Sequence, residues 1–499
     1  MISLMESSPV RPSIPKLSKS RFMSGLQCHK RLHLESYAHD LAPSIDPFTQ
    51  SLFDTGSAVG ALARSRFRGG VLIDDDHLHH EVAEERTRLA LADPTVPAIY
   101  EAAFTWDDVR VRADILVRVS GDVFDLVEVK STTWPKLEHE WDLAVQLAVL
   151  EGAGVRVRRA FLMHLDRSYV YAGGGYDLRR LFACAELTDA ARGRQREVRG
   201  KLDAMRAMLW NVEPPAIEVG PHCERPHTCP FFDRCHDGLP FDPLLQLPKS
   251  RRLRERLAAA GIVGFDDIPL DFPGLSLHQR RALEAIRSGE RFCDPEIREV
   301  LGGAVFPVHF IDFETIMPAL PLYPGTRPYD TIPVQWSDHV LHEDGRIDHC
   351  EYLYDGQGDP RRPFVESLLA MLGSCGTIVV YSNYEATRLG DLAAWLPDVA
   401  DEITRVQPRI LDLLAVIRRH VYDQGFNGSF SLKSVLPALV PSLGYDDLAI
   451  QDGGLASLAL LEVMAPQTPT ERRRELRQQL LAYCGRDTEA LVGLFQLLR

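Results

Sequence analysis

In the run VHFIDFET, Asp312 and Glu314 stand two residues apart inside an otherwise apolar stretch. Side chains two apart on a β-strand share a face. The run therefore predicts a pair of carboxylates on a buried strand. Burying two like charges on one face is costly unless a cation compensates, and a divalent ion takes such oxygen ligands. Near the far end, LLAYCGRDTEALVGLFQLL has a helical pattern that puts Tyr483 and Asp487 four apart on one helix face. An aspartate there can close a metal site while the tyrosine orients a water.

A second set of acids lies in VRVRADILVRVSGDVFDLVEVKSTT. VRVRADILVRV alternates, Gly121-Asp122 turns the chain, and VFDLVEVK alternates again, which predicts a hairpin. Glu128 and Lys130 then point the same way, and Asp114 on the preceding strand can sit beside them. Two carboxylates with a lysine make a place for Mg²⁺ or Mn²⁺. The lysine could activate the attacking water and steady charge at a phosphorus centre. The following helix, WDLAVQLAVLEGAG, brings Gln146 within reach of that place.

Three of the nine cysteines fall within thirteen residues, at Cys223, Cys229 and Cys235. That crowding asks for a metal and for a fourth ligand. Cys28, in LSKSRFMSGLQCHKRLHLE, lies almost 200 residues upstream. A set of four thiolates suits zinc or an iron–sulfur cluster, and His222, His227 and His236 leave a mixed Cys/His zinc site open. Cys184, Cys293, Cys350, Cys375 and Cys484 have no such neighbours and are expected to be ordinary buried thiols.

These groups need elements to hold them. A chain of 499 residues is long enough for two or three domains. Residues 16–240 open helical, alternate strands with helices and close at the cysteine cluster. Residues 241–303 read as a helical connector, and residues 304–499 begin with an apolar strand and end on a long helix. Within the connector, LAAAGIVGFDDIP suggests two helical segments around a Gly-containing turn, a helix-hairpin-helix pattern whose turn amides can contact phosphate. The alternative is an ordinary helical linker. No GxxxxGK[ST] is present, which argues against a built-in ATP-driven motor. The formal charge of −14 argues against a general nucleic-acid-coating surface. Locally, residues 151–210 hold twelve Arg/Lys against seven Asp/Glu, and KSRRLRER at 249–256 is also basic. Either stretch could follow a phosphate backbone or be a solvated helix face. No run of eighteen apolar residues and no signal-peptide core are found, so a cytoplasmic protein without a membrane span is expected.

Asp114, the Glu128-x-Lys130 pair and the Gln146 helix together resemble the PD-(D/E)xK nucleases of the RecB type. The resemblance implies a mixed sheet flanked by helices, with Asp114 and Glu128 as metal ligands, Lys130 catalytic and Gln146 in support. Many of those nucleases carry, on an upstream helix, a further metal-binding His four residues after a Gly. Here TGSAVGALA puts Gly60 at that place, and Glu101 in YEAAF is a substitute candidate. One Cys before the core and three behind it resemble the iron–sulfur members of that group. This implies a structural 4Fe–4S cluster on Cys28, Cys223, Cys229 and Cys235, with zinc as the alternative. The x5 spacings depart from the x2-then-x5 arrangement common among those relatives.

The pattern of Asp312-x-Glu314 early and Tyr483-x-x-x-Asp487 late resembles the DnaQ-like exonucleases of the RNase H fold. By that likeness Asp312, Glu314 and Asp487 bind two divalent ions, and Tyr483 positions the water. For the fourth acid, Glu385 in IVVYSNYEATRL stands where the family usually has Asp, and Asp412 in ILDLL competes with it. Tyr381 replaces the usual Asn four residues before Glu385. NGSFSLKSVLP and YDDLAIQDGGLA extend the likeness to a bacterial family of unknown function fused behind RecB-like domains.

The implied fold is α/β: a PD-(D/E)xK restriction-endonuclease-like domain, a helical connector and an RNase H-like domain. The implied activity is that of a two-site nuclease that trims or degrades DNA ends or single strands with Mg²⁺ or Mn²⁺ at both sites. RNA competes as substrate, because nothing here reads a 2′-OH. A nucleic-acid-binding scaffold with one degenerate site ranks third, on the strength of Gly60 and Tyr381.

Overall fold

The computed structural model describes residues 15–238, 243–262, 264–354, 356 and 358–499. The start of the chain, in which no signal-peptide core was read, falls mostly outside the described residues, as does the domain boundary drawn at 240–241. The fold is mixed α/β, in two compact units. Unit 1 comprises residues 1–239 together with Ala319–Tyr329, and unit 2 comprises Pro240–Pro318 with Asp330–Arg499. Residues 241–303, read as a connector, thus cluster entirely with the second unit, and Ala319–Tyr329 clusters with the first.

Unit 1 is built on a seven-stranded mixed sheet. β1 (Leu17–Ser18) leads directly into α1 (Lys19–Gln27), whose first turn is capped by the Ser18 side chain accepting from Arg21 N. Then come α2 (His29–Tyr37), α3 (Pro47–Arg64), β2 (Val71–Leu72), α4 (His80–Ala92) and β3 (Ala98–Trp106). β4 (Val109–Ser120) and β5 (Val123–Lys130) form an antiparallel hairpin, and Gly121 at φ +52 lies in the connecting turn. A two-residue turn that needs positive φ favours glycine there. α5 (Leu137–Gly152) follows and leads to β6 (Arg156–Leu165), parallel to β5. A parallel pair requires such a crossover. That crossover explains why α5 buries ten of its sixteen residues, including Asp142 and Gln146. β7 (Phe182–Glu186) closes the edge, and α6 (Gln195–Leu209) packs near α1, where Met205 fills the space a Cβ at Gly25 would need.

In unit 2, α7 (Arg251–Ala259) ends before Gly261, which adopts φ +72. The next helix, α8 (Leu277–Ser288), does not begin until sixteen residues further on, where Ser276 and Gln279 form a capping box. The compact helix-hairpin-helix is therefore absent among the described residues. Pro269, Pro273 and Gly274 interrupt the segment that would have supplied its second helix. β8 (Phe292–Cys293) precedes the main five-stranded sheet.

That sheet runs in the order β11-β10-β9-β12-β13. β9 (Val308–Ile316) is central, antiparallel to β10 (Ile332–Leu341) and parallel to β12 (Ile378–Val380). β11 (Ile347–Leu353) and β13 (Ile410–Asp412) are the edges. The alternation of β9 separates its two faces. Phe313 meets Phe364 of α9 (Arg361–Leu372) edge-on, while Phe310 meets Phe495 on the opposite face. α10 (Tyr384–Trp395) follows β12, and α11 (Leu413–His420) follows β13. β14 (Val421–Tyr422) pairs with β8. α12 (Leu432–Leu439), α13 (Gly453–Met464) and the 29-residue α14 (Thr470–Leu498) complete the unit. α14 is docked on β10 by a polar contact: Thr488 Oγ1 lies 2.8 Å from both Ser337 Oγ and His339 Nδ1. Among the described residues no helix is long and apolar enough to cross a membrane.

β9 and β10 are also joined through a buried side-chain pair. His309 Nδ1 lies 2.7 Å from Asp338 Oδ2, and Asp338 Oδ1 accepts from Phe310 N at 3.2 Å. Removing one partner leaves the other buried without its bond, a loss of roughly 3 kcal/mol. Asp338→Ala should lower the guanidinium midpoint of unit 2 accordingly, and a midpoint within error of the parent would contradict that role.

Candidate functional site

In unit 1, the β4–β5 pairing places Asp114 one residue beyond the Ile115–Val127 pair, beside Glu128. Its Oδ2 accepts from Val129 N at 2.7 Å. Lys130 Nζ donates to Glu128 Oε1 at 2.6 Å and also meets Asp142 Oδ2 at 2.7 Å. Gln146 Nε2 donates to Glu128 Oε2 at 2.8 Å and to Asp142 Oδ1 at 3.0 Å. Asp114, Glu128, Lys130 and Gln146 thus come together, as their strand phase and the following helix predict. Two more residues join them that the sequence reading missed. Asp142 had a signal, being a charge one turn before Gln146 in an apolar helix. Lys19 had none: it stands 109 residues before Glu128, yet its Nζ donates to Glu128 Oε1 at 2.9 Å and lies 3.5 Å from Asp142 Oδ1.

The electrostatics follow from this arrangement. Burial, reinforced by the charge of Glu128, pushes the Asp114 carboxyl up to about 7. Glu128 suffers the same burial, but Lys130 and Lys19 outweigh it and hold its carboxyl well below the usual range. Gly60 sits on α3 with open space where a Cβ would point. One turn on, Arg64 Nη1 pairs with Glu101 Oε1 at 3.2 Å, so a guanidinium engages the acid proposed as substitute ligand.

Cys28, Cys223, Cys229 and Cys235 line one small cavity of unit 1, with Arg31, His222 and Phe231. Burial pushes the Cys229 thiol up, and the neighbouring Cys28 and Cys235 add to the shift. His222 Nε2 is 3.7 Å from Cys223 Sγ, whereas His236 Nδ1 is engaged with Phe232 O at 2.8 Å. The expectation for the other cysteines needs correction. Cys184, Cys293 and Cys375 are exposed, and Cys350 is half-buried. Single cysteines carry no periodic signal of their own, so their burial was decided by strand edges and loops. Cys484 is buried, but not as an ordinary thiol: its Sγ donates to Asp312 Oδ2 at 3.6 Å.

In unit 2, Asp312 and Glu314 project from β9 toward α14. Asp312, Glu314 and Cys484 offer ligand atoms all within 4.8 Å of one another. Burial, then the charge of Asp487, pushes both Asp312 and Glu314 well above the carboxylate range. Burial pushes Asp487 up to about 6, against the hydrogen bond donated by Tyr445 Oη to its Oδ1. Glu385, in the first turn of α10, is pushed to about 8 by burial, with Asp412 and Asp487 adding to it. Its Oε2 is buried without a hydrogen-bond partner. Asp412 instead caps α11 by accepting from Ala415 N at 2.9 Å. Glu385 thus acts electrostatically on Asp312 and Glu314 with one oxygen unpartnered, whereas Asp412 has one oxygen engaged in the helix cap. Tyr381 donates to Phe430 O at 2.9 Å. Tyr483 is buried one turn from Asp487, and its ring lies 6.3 Å from that of Tyr445. Lys433 Nζ, 5.5 Å from both ring centres, is the cation that offsets Glu314 and Asp487. Tyr445 and Lys433 were not singled out from the sequence, because only the packing of α12 and the following turn against α14 brings them here.

Residues 309–431 match a family described as a domain of unknown function (DUF2779). This stretch is similar to that family. It holds Asp312, Glu314, Glu385 and Asp412 and stops short of Tyr483 and Asp487. No curated protein matches the chain. Three solved chains match, among them one titled "Crystal structure of SSO0001", which is 15% identical with a TM-score of 0.22. The alignment covers 46% of this chain and 90% of that one, and a score of that size carries no statement about fold.

Carboxyls raised in the folded state stay protonated while the unfolded chain has already ionised, so stability falls as pH rises between the two values. For Glu385 that window runs from the ordinary range to about 8 and for Asp487 to about 6. Metal-free protein should therefore lose thermal stability in unit 2 as pH rises from about 5 to 8. Mn²⁺ should restore it, more at the upper end than the lower. Glu385→Gln should blunt both effects and Asp412→Asn should preserve the Mn²⁺ rescue; the reverse ranking would give the fourth place to Asp412.

Proposed function

We propose that this chain is a metal-dependent nuclease with two active sites, which hydrolyses phosphodiester bonds and trims or degrades DNA ends. The observation that carries the reading is the acid group of unit 2. Glu314, Glu385 and Asp487 are buried, Asp312 is half-buried, and the four repel one another, with Lys433 as the cation offsetting Glu314 and Asp487. Uncompensated, that burial costs free energy. The unpartnered Oε2 of Glu385 and the hard oxygen donors fit Mg²⁺ or Mn²⁺. Two such ions, when bound, stabilise the attacking and leaving oxygens of a phosphoryl centre. Tyr483, kept protonated by burial and by the surrounding carboxylates, would orient a water by its hydroxyl. An aspartate returned to a central Asp-x-Glu strand by a C-terminal helix supports the RNase H-like, DnaQ-type reading of unit 2.

In unit 1, the hairpin carrying Asp114, Glu128 and Lys130, with Gln146 on the crossover helix, supports the PD-(D/E)xK reading. There Lys130 would activate water, and Asp114 and Glu128 would hold the ion. A second reading, one degenerate site, is favoured by a specific observation: both oxygens of Glu128 are already engaged by Lys19, Lys130 and Gln146.

End-labelled single- and double-stranded DNA and RNA, incubated with full-length protein and Mn²⁺ or Mg²⁺, test both. Parent protein should shorten DNA from its ends. Asp312→Ala should abolish one activity and Lys130→Ala the other, each by about a hundredfold or more. Loss of all activity with Asp312→Ala alone would select the degenerate-site reading. Full activity in both variants would refute the two-site proposal, and cleavage of RNA alone would move the substrate class.

For the cysteines we infer a structural 4Fe–4S cluster that joins Cys28 to Cys223, Cys229 and Cys235. Their shared cavity supports this, and closing a loop of about 200 residues restricts the unfolded chain. Anaerobically purified protein should be brown and bleach on reduction. Cys229→Ser should lose iron and lower the melting temperature of unit 1 more than that of unit 2. A colourless protein with one zinc ion would keep the clip and refute the cluster.

A further inference from the structure

Lys19 has no place in the proposed chemistry of unit 1, yet its position is tightly specified. Leu17 and Ser18 pair with Val109 and Arg110 of β4, and Ser18 caps the helix that Lys19 begins. The close approach of α1 to Met205 at Gly25 fixes the other end of that helix. The ammonium is thereby delivered to Glu128 Oε1, the same oxygen that Lys130 engages. Gln146 occupies Oε2. Oε1 thus carries two donors, and a divalent ion that takes that oxygen from Asp114's side must displace one of them.

The three donors are not equally held. Gln146 is fully buried and bonds two acids from a packed helix. Lys130 stands two residues from Glu128 on one strand and keeps Asp142 Oδ2 at 2.7 Å as a second partner. The second partner of Lys19, Asp142 Oδ1, is at 3.5 Å. Lys19 is the donor with least to lose, on a flexible four-carbon stem. Charge points the same way. Fully ionised, Asp114, Glu128 and Asp142 with Lys19 and Lys130 carry three negative and two positive charges, a net −1. A divalent ion added to that set gives +1, whereas the same ion in place of Lys19 gives 0. The nearby Arg64–Glu101 pair cancels itself.

We propose that Lys19 is the resident cation of the unit 1 site: its ammonium occupies Glu128 Oε1 in competition with a divalent ion, and so lowers the metal affinity of that site. The proposal rests on the reading of Asp114 and Glu128 as metal ligands. It makes Lys19 a positioning residue that competes with the metal.

The test uses the full chain carrying Asp312→Asn and Asp487→Asn, which weakens binding in unit 2, with Mn²⁺ titrated by calorimetry. Lys19→Met and Lys19→Gln should each bind Mn²⁺ about tenfold or more tightly than this parent, since one like charge a few ångströms away is removed. Lys19→Arg, which keeps the charge, should stay near the parent. A circular-dichroism melt of each variant identifies folded protein, and either neutral variant alone supplies the comparison. Unchanged or weaker binding in the folded neutral variants overturns the proposal. If Glu128→Gln leaves the parent isotherm unaltered, unit 1 holds no ion there and the metal-ligand reading fails first. A tightening that Glu128→Gln abolishes supports both.

Discussion

Carboxylates buried together are the costliest feature of this molecule, and both units are arranged around meeting that cost. An ionised carboxylate taken out of water must find a cation, a set of hydrogen-bond donors or a proton. In unit 2 the protein supplies little of any of these. Asp312, Glu314, Glu385 and Asp487 share the space between β9, α10 and α14, where Tyr445 and Cys484 each donate one bond and Lys433 lends partial charge. The remainder falls to protons, which is why the carboxyls of this group are raised.

Unit 1 meets the same constraint in the opposite way. Its Glu128 is as deeply buried, but two ammonium groups and an amide surround it, and its carboxyl is held low instead of high. The difference is one of elements. In unit 1 a strand neighbour two residues away and the first residue of α1 both reach the acid, whereas β9 carries no lysine beside Asp312 and Glu314. One centre is therefore poised for a cation by repulsion, and the other already contains its own.

The cysteine group shows a further use of long-range closure. Three thiols come from a short segment that has little regular structure of its own, with a 3-10 turn at Pro221–Cys223 and a brief helix at Phe232–His236. The fourth is the residue between α1 and α2. Backbone and side-chain bonds already link the two regions: Gln27 Nε2 donates to His222 O and to His227 O, each at 2.8 Å. The chain thus brings the thiols to one cavity by ordinary hydrogen bonding. Any ligand they share would reinforce an existing closure, and α1, which ends at Cys28, is the same helix that begins at Lys19.

By itself the sequence determined the parts whose information is local. Strand alternation and a Gly-containing turn specified the β4–β5 hairpin and the shared face of Glu128 and Lys130. A pair of acids inside an apolar run specified the buried face of β9, and helical spacing put Tyr483 on the side of Asp487. These follow from periods of 2 and 3.6 residues, which any stretch of chain carries within itself. Tertiary structure alone decided the rest. Lys19 reaches Glu128 across 109 residues of sequence, Tyr445 reaches Asp487 across 42, and neither spacing has a period to reveal it. Packing alone also distinguishes Glu385, which keeps an unpartnered oxygen, from Asp412, which caps a helix. Cysteine burial, too, depended on which edges the fold left open, because a lone side chain carries no record of the surface that will cover it.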